Sequence, residues 1–284
     1  MKQELLIISF SIISSFLFAL AGSVESFMID EIPVIFHCWA IIFGIQIVVF
    51  IPSYIFKTER FFDLTGSITF LSIVWYIVYL RSGILPKTAF ILAILISVWA
   101  LRLGLFLFFR VHKDGKDRRF DSLKVDFFKF LRVWMLQGLW VFITSLCAMM
   151  VLCSELIVDN NIFINIGVSI WILGFLIEVV SDMQKRQFMK NNKGKFISSG
   201  LWGYSRHPNY LGEILLWFGI AIICLPNLEG AQYLGLISPL FVYLLLTRIS
   251  GINLLEQYAD ETWGDLESYQ HYKKTTPLLF PFKK

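Results

Sequence analysis

Long apolar runs alternate with short polar segments along the whole chain. A membrane-spanning helix needs about 20 mostly apolar residues. Runs of about this length lie near residues 4–20, 34–56, 64–80, 88–109, 133–152, 162–180, 208–225 and 232–249. The pattern predicts an all-α fold, a polytopic transmembrane helical bundle of about seven or eight spans. We expect the first run to stay as a helix, although a signal peptide is the alternative.

The distribution of basic residues predicts how these helices are oriented. When the N-terminus is placed in the cytoplasm, nearly all of the 25 Lys and Arg residues fall on the cytoplasmic side. The outer loops then contain only Arg81 and Lys87. Because cytoplasmic loops are enriched in Lys and Arg, both termini and both large polar loops are predicted to be cytoplasmic.

Composition supports the same class of protein. The chain has 284 residues, of which 57% are hydrophobic and only 16% are charged, whereas soluble domains carry about 25% charged residues. We expect an integral multi-pass membrane protein, in the cytoplasmic membrane if bacterial and in the endoplasmic reticulum if eukaryotic. The net charge of +4 is too small to indicate a nucleic-acid partner.

The four cysteines do not have the spacing of a metal site. None forms a Cys-x-x-Cys pair, and no His accompanies them at ligand spacing. We interpret them as buried small hydrophobic residues, and we predict no metal site.

The most polar segment, Ser198–Gly219, leads directly into an apolar run. Pro208 suits the first turn of a helix, where a missing N–H is tolerated. Arg206 and His207 then lie at the positive end of the helix dipole, where free N–H groups bind anions. A phosphorylated or carboxylated ligand would fit there, and an interfacial anchor at the lipid headgroups is the alternative.

Two polar residues follow within the apolar run. Asn209 and Glu213 are four residues apart and share one helix face, so they would meet a neutral polar part of the same ligand. A carboxylate within a membrane helix needs a partner. Tyr204, just upstream, is a further candidate contact.

Polar residues also occur in two other apolar runs. Arg102 lies within the fourth run and is expected to face the bundle interior, a partner or a cavity. Glu178 and Asp182 are one turn apart and repel each other unless a cation or ligand hydroxyls lie between them. A ribose diol is one such ligand, and Lys185 or Arg186 as an internal partner is the alternative.

Several motifs resemble the steroid 5-alpha-reductase-like membrane proteins, in particular a bacterial branch labelled as a domain of unknown function. The motifs are SGLWGYSRHPNYLGEILLWFGI, WMLQGLW, DLTGS, DSLK and EQYADETWG. The resemblance covers roughly Phe62 to Phe282. We therefore expect N-terminal membrane helices at 1–60 and a catalytic membrane domain at 61–284.

The resemblance implies a helical bundle that holds NADPH in a cytoplasm-facing cavity. It implies reduction of a carbon–carbon double bond conjugated to a ketone, in a steroid-like or other hydrophobic lipid substrate. The cofactor-binding candidates are Asp182, Arg186, Tyr204, Arg206, His207, Asn209 and Glu213. The substrate-binding candidates are Trp99 and Gln137, and the candidate donors to the ketone oxygen are Tyr54, Arg102 and Tyr204.

Two positions depart from the family pattern. The steroid enzymes have a Gln-Glu pair before Pro-Ser-aromatic in the second helix, where this chain has Phe50-Ile51. Trp99 stands where the family has a Tyr. An alternative function is an S-adenosylmethionine-dependent methyltransferase of a lipid or prenylcysteine, with Glu256 at the ribose. A non-enzymatic lipid-binding protein is a third possibility.

Overall fold

A computed structural model describes residues 1–81, 83, 85–114 and 120–281. Residues 115–119, in a predicted cytoplasmic loop, and residues 282–284, at the end of the predicted catalytic domain, lie outside these described residues. Within the described part of the chain, the sheet consists of two short antiparallel strands, β1 (Met28–Ile29) and β2 (Ile32–Pro33). The prediction of an all-α fold is therefore confirmed.

The helices follow the predicted apolar runs closely. In chain order they are α1 (Lys2–Ser23), α2 (Val34–Ile55), α3 (Phe62–Leu80), α4 (Lys87–Asp114), α5 (Phe127–Cys153), α6 (Asn161–Asn191), α7 (Pro208–Cys224), α8 (Ile237–Leu244), α9 (Ile252–Trp263) and α10 (Glu267–Thr275). Among the described residues, 8 helical segments are long and apolar enough to cross a membrane. The last of these, Gly230–Trp263, begins with a 3-10 segment and continues through α8, a π-helical turn and α9. The predicted multi-pass membrane architecture is confirmed, and its orientation stays a prediction.

The chain divides into two compact units. Unit 1 comprises Met1–Asn161 and Cys224–Ser238, and unit 2 comprises Ile162–Ile223 and Pro239–Lys284. The domain boundary predicted at residue 60 falls within unit 1 and stays a prediction.

Helix α5 is the centre of unit 1. It packs against α1, α2 and α3, and its residues from Gln137 to Cys153 are almost all buried. A helix that is apolar on every side is expected to be enclosed by other helices. Arg132 at the start of α5 forms an ion pair of 2.7 Å with Glu4 of α1, so the two helices are also joined through charge.

Polar contacts fix the connections of unit 1. The Nε of Arg81, just after α3, donates to the carbonyl of Leu152 near the end of α5 over 2.8 Å. Asp159 accepts hydrogen bonds from the backbone N–H groups of Lys87 and Thr88 at the start of α4. These donors hold the pKa of Asp159 below its usual value, although burial opposes them. The carboxylate thus caps the positive end of α4.

Helices α6 and α7 of unit 2 touch through glycines. A Cβ added at Gly174 would lie 2.6 Å from the carbonyl oxygen of Gly212, and one at Gly167 would lie 2.6 Å from that of Gly219. Because the sequence order of these pairs is reversed, the two helices are antiparallel. Small residues allow membrane helices to approach this closely.

We predict that Gly212→Ala destabilises the protein by about 1–3 kcal/mol, because the added methyl group forces two backbones apart. Its Cβ would lie 2.5 Å from the carbonyl oxygen of Gly174. The measurement is thermal unfolding of purified protein in detergent.

Gly44→Ala in α2 is the matched control. A Cβ at Gly44 meets nothing within 4 Å. It should be neutral or stabilise the helix by up to about 1 kcal/mol. Equal melting temperatures for the two variants would contradict the close α6–α7 contact.

Candidate functional site

The polar segment before α7 is held against the C-terminal half of α6. The backbone N–H of Leu201 donates to Gln184 Oε1 over 2.9 Å, and the indole N–H of Trp202 donates to the carbonyl of Ser181 over 3.0 Å. Gly200 has a φ of +64°, and a Cβ there would lie 2.6 Å from Gln184 Oε1. Glycine is therefore required at this turn, both for its backbone angle and for the close approach.

Three side chains converge at the start of α7 and form what we call the Glu256 cluster: Arg206, His207 and Glu256. Glu256 comes from α9, and one of its carboxylate oxygens lies 2.7 Å from His207 Nε2. The other carboxylate oxygen accepts a hydrogen bond from Arg206 Nη1. The side chains of Arg206, His207 and Glu256 are 12%, 7% and 19% exposed. The cluster is a largely buried ion pair with a histidine attached.

The imidazole of the Glu256 cluster is neutral at physiological pH. Burial lowers the pKa of His207 below its ordinary value, although the hydrogen bond and charge of Glu256 raise it in part. The positive charges of Lys185 and Arg206 lower it further. Because Nε2 faces a carboxylate, it carries the proton and donates, which leaves Nδ1 as an acceptor. The ring also stacks on Tyr210, with centroids 5.8 Å apart.

Backbone contacts fix the same turn. Arg206 N–H donates to the carbonyl of Pro277 over 2.9 Å, and His207 N–H donates to the hydroxyl of Ser205 over 3.2 Å. The C-terminal tail therefore reaches back to the start of α7. A small apolar core of Leu211, Ile252 and Leu279 supports this contact from the interior.

An aromatic layer joins the tail to the loop between α6 and α7. The ring of Phe196 lies 5.2 Å from Tyr269, 5.5 Å from Tyr272 and 5.9 Å from Trp263. The hydroxyl of Tyr272 donates to the carbonyl of Trp202 over 2.7 Å. Burial raises the pKa of Tyr269 to about 12 and raises that of Tyr272 as well. Both phenols therefore remain protonated donors at physiological pH.

One hydrogen-bond donor of the Glu256 cluster remains available. Among the described residues, none accepts a hydrogen bond from Arg206 Nε, although this atom is buried. A guanidinium binds acidic oxygens through such N–H groups, and the N-terminus of α7 adds a favourable dipole. The residues therefore fit an anionic group such as a phosphate or carboxylate. The sequence indicated two cationic or near-neutral donors facing a ligand, whereas the structure shows that the Glu256 carboxylate already engages both side chains.

The remaining predicted cofactor residues lie in unit 2, on α6, on α7 and in the loop between these helices. Asn209 and Glu213 are partly buried and share a face of α7, and Asp182 is partly buried on α6. Arg186 is exposed on α6, and Tyr204 is 70% exposed. The structure thus joins Arg206 and His207 through Glu256, and leaves Tyr204 on the surface of the unit.

The predicted substrate residues Trp99 and Gln137 lie in unit 1. Trp99 is 1% exposed and packs edge-on against Phe70 at 5.1 Å, and Phe70 in turn contacts Trp140 at 5.2 Å. Gln137 is 6% exposed and donates through Nε2 to the carbonyl of Phe62 over 2.9 Å. Both side chains are therefore interior residues of unit 1.

The predicted donors Tyr54 and Arg102 are also in unit 1, and both are partly buried. The ring of Tyr54 lies 5.1 Å from Phe127, and the ammonium of Lys57 lies 3.3 Å from its centroid. Arg102 lies one turn after Trp99 in α4, and its guanidinium is 5.2 Å from the ring of Phe106.

The sequence did not single out Glu256 as a partner of Arg206 and His207. Glu256 was considered only as a ribose ligand in the methyltransferase interpretation. It lies 50 residues from Arg206 along the chain, so no local spacing connects the two. The only signal was an acidic residue in an otherwise amphipathic tail.

Comparison with known proteins gives a consistent result. The family described as “Protein of unknown function (DUF1295)” matches residues 49–276. The chain is 29% identical to mouse (Mus musculus) 3-oxo-5-alpha-steroid 4-dehydrogenase 1 over 118 residues, which is 41% of each chain. It is 31% identical to a probable 7-dehydrocholesterol reductase of Acanthamoeba polyphaga mimivirus over 138 residues, covering 42% of this chain and 29% of the relative. It is also 31% identical to a Delta(14)-sterol reductase of Arabidopsis thaliana over 67 residues, covering 19% of this chain and 18% of the relative.

These matches confirm the resemblance that the sequence motifs indicated. The chain spans less than half the length of each of these curated relatives. No solved structure matches the chain.

We predict that acid destabilises the protein through His207. Because its pKa in the folded state lies below the ordinary value of about 6.5, the unfolded chain binds the proton first as the pH falls. The stability contributed by the neutral ring is present above about pH 6.5 and is lost below it, by up to about 1.4 kcal/mol per pH unit.

Thermal unfolding at about pH 7.5 and about pH 5.5 measures this effect. His207→Gln, which keeps a donor for Glu256 but does not titrate, should lose less stability between the two pH values. An equal loss in both proteins would assign the acid sensitivity to other groups.

Proposed function

Because this chain belongs to the family described as “Protein of unknown function (DUF1295)”, and is similar to proteins named for steroid and sterol reactions, we propose that it is a membrane-embedded reductase. The proposed reaction is reduction of a carbon–carbon double bond conjugated to a ketone, in a steroid-like or other lipid substrate. The proposed cofactor is NADPH.

The buried Nε of Arg206 is the observation that supports a nucleotide best. It has no acceptor among the described residues, although a buried donor without a partner costs about 1–3 kcal/mol. A phosphate oxygen would supply that acceptor.

Glu256 fixes the geometry of this donor. By accepting from Arg206 Nη1 and His207 Nε2, its carboxylate holds both side chains before any ligand arrives. Donors that are positioned in advance need no rearrangement upon binding. Because the Arg206 and Glu256 charges offset each other, further positive charge would come from Lys185, whose ammonium lies 4.8 Å from the ring of Trp202.

Three further residues of unit 2 would contact the uncharged parts of the nucleotide. Asn209 and Glu213, on one face of α7, offer an amide and a carboxylate that suit a ribose hydroxyl and a carboxamide. Asp182 of α6 offers a second carboxylate for a ribose. These assignments follow the family resemblance, residue by residue.

When bound, NADPH supplies the hydride that reduces the double bond. Hydride added at the carbon β to the ketone would place negative charge on the ketone oxygen, so a donor at that oxygen would lower the barrier, and a proton drawn from solvent would complete the reduction at the carbon α to the ketone. Tyr54 and Arg102 are partly buried, whereas Tyr204 is 70% exposed. The candidate donors to that oxygen are Tyr54, Arg102 and Tyr204, as the family resemblance implies.

The first test is a comparison of two nucleotides as stabilisers of the purified protein in detergent. A ligand that binds the folded state at about 100 times its Kd adds about 2.7 kcal/mol of stability. NADPH should raise the melting temperature, and S-adenosylmethionine should not. A response to S-adenosylmethionine alone would favour a methyltransferase, and no response to either would reject the proposal.

Substitutions test which residues contribute to NADPH binding. Arg206→Gln and Asn209→Ala should each weaken NADPH binding about tenfold or more, measured as a loss of stabilisation relative to the same variant without nucleotide. Lys190→Gln is the control, because Lys190 is an exposed cation in the last turn of α6. Equal weakening by the control would indicate only a general charge effect.

A further inference from the structure

A groove of about 470 Å³ lies between the C-terminal part of α6 and the loop that connects α6 to α7. All of its lining residues belong to unit 2. The large apolar side chains that line it are Val180, Met183, Phe188 and Ile197. Gln187 and Ser199 add an amide and a hydroxyl, and both residues are exposed. The groove is therefore an amphipathic site that is open to the surface.

Hydrogen bonds hold the loop that forms one wall of this groove. Gln184 of α6, which also lines the groove, accepts from the backbone N–H of Leu201 over 2.9 Å. Nearer the start of the loop, the indole N–H of Trp263 in α9 donates to the carbonyl of Gly194 over 2.7 Å. Because both parts of the loop are tied to helices of unit 2, the groove is formed before a ligand arrives, and this lowers the cost of binding.

The groove and the acidic residues of α6 lie on different sides of that helix. Successive residues of an α-helix are about 100° apart around its axis. Gln187 follows Asp182 by five residues and Glu178 by nine, so it lies about 140° from Asp182 and about 180° from Glu178. Asp182 is the proposed ribose contact, and the groove is therefore a separate site from the one proposed for the nucleotide.

An exposed apolar stripe of α6 leads into the groove. Leu173, Leu176, Val180 and Met183 recur at helical spacing on one face, and each is at least 40% exposed. From Leu173 to Met183 the stripe is about 15 Å long, at about 1.5 Å per residue. This is half of the hydrocarbon thickness of about 30 Å, which is the depth of one leaflet. The stripe therefore matches the length of one lipid acyl chain.

The polar part of the groove lies where lipid headgroups are expected. The predicted apolar run of this helix ends at residue 180, whereas α6 itself continues to Asn191. Gln187 is therefore beyond the hydrocarbon core, at the predicted cytoplasmic side. The cytoplasmic leaflet carries anionic lipids, which attract Lys and Arg residues close to the membrane surface.

A lysine lies beside the groove at this level. Residues 195–198 are neither helical nor part of a turn, and side chains alternate between two sides of an extended backbone. Ile197 and Ser199 both line the groove, whereas Phe196 packs on the opposite side against Tyr269. The alternation therefore places the exposed Lys195 on the side of the groove. Its ammonium complements a negative charge held there.

We propose that this groove binds an anionic phospholipid of the cytoplasmic leaflet. One acyl chain lies along the stripe from Leu173 to Met183, and the ester region meets the amide of Gln187 and the hydroxyl of Ser199. The negatively charged headgroup lies on the side of Lys195. A zwitterionic phospholipid offers the same chains and esters without the net negative charge, so it binds more weakly. Neither the nucleotide nor the reduced lipid enters this inference, and it does not rest on the proposed function.

The test compares two phospholipids that have the same acyl chains and different headgroups. The purified full-length protein in detergent, without nucleotide, is titrated with phosphatidylglycerol or with phosphatidylcholine, and native mass spectrometry counts the lipids that stay bound. Phosphatidylglycerol should bind at one site about fivefold or more tightly than phosphatidylcholine. Glycerol phosphate, which has the anionic group without the chains, should bind much more weakly than phosphatidylglycerol.

Two substitutions change the charge at the groove. Gln187→Glu nearly preserves the size of the side chain and places a negative charge in the groove, and Lys195→Gln removes the positive one. Each should abolish the preference for phosphatidylglycerol while leaving phosphatidylcholine binding unchanged. Gln3→Glu and Lys2→Gln are the matched controls, because they change the charge equally at exposed positions of α1 in unit 1. Both controls should keep the preference of the unsubstituted protein.

Several results would overturn the proposal. Equal retention of the two phospholipids would mean that the protein carries only unselective surface lipid. A preference that survives in both groove variants, or that is lost equally in the controls, would place the effect outside the groove. A dimer that retains no phospholipid would assign this face to a second copy of the chain. Because no nucleotide is present, a failure of NADPH binding would not affect any of these outcomes.

Discussion

The pairing of the Glu256 carboxylate with Arg206 and His207 determines how the polar part of unit 2 is arranged. Removing one member of a largely buried ion pair leaves an uncompensated charge, which is strongly destabilising. The start of α7 and the middle of α9 are therefore held together by a contact whose loss would strongly destabilise the protein. Since α9 continues into α10 and the aromatic tail, this contact also places the residues around Phe196.

The second constraint on unit 2 is the backbone contact between α6 and α7. Helices that meet at Gly167, Gly174, Gly212 and Gly219 have almost no freedom to shift along each other. The loop between them is then fixed by Gln184 and by the indole of Trp202. As a result, polar side chains at the ends of both helices keep fixed positions, which is what a nucleotide site requires.

Both units contain buried polar atoms without a hydrogen-bond partner among the described residues. In the Glu256 cluster, His207 Nε2 and Arg206 Nη1 are paired with the Glu256 carboxylate. Arg206 Nε has no partner among the described residues. In unit 1, the amide oxygens of Gln46 and Gln137 and the indole nitrogen of Trp134 are neutral atoms without a hydrogen-bond partner among the described residues. A buried charged donor without a partner suits an anion, whereas buried neutral donors and acceptors without partners suit a hydroxyl.

Much of the architecture could be predicted from local sequence. The spans follow from apolar runs of sufficient length, because the bilayer sets that length directly. The start of α7 at Pro208 follows from the geometry of proline. This prediction correctly placed Arg206 and His207 at a helix terminus. The family resemblance follows from motifs such as RHPNY and WMLQGLW, which are continuous in the chain.

The tertiary structure alone decided which side chains meet. Glu256 is 50 residues from Arg206, and the unpaired oxygens of Gln46 and Gln137 can be recognised only when all neighbouring groups are in place. Apolar periodicity is a property of one segment, whereas a hydrogen bond depends on rotamers and on helices distant in sequence. For this reason the sequence by itself determined the membrane helices and the family, and the packing of those helices determined which polar groups of the described residues have a hydrogen-bond partner and which do not.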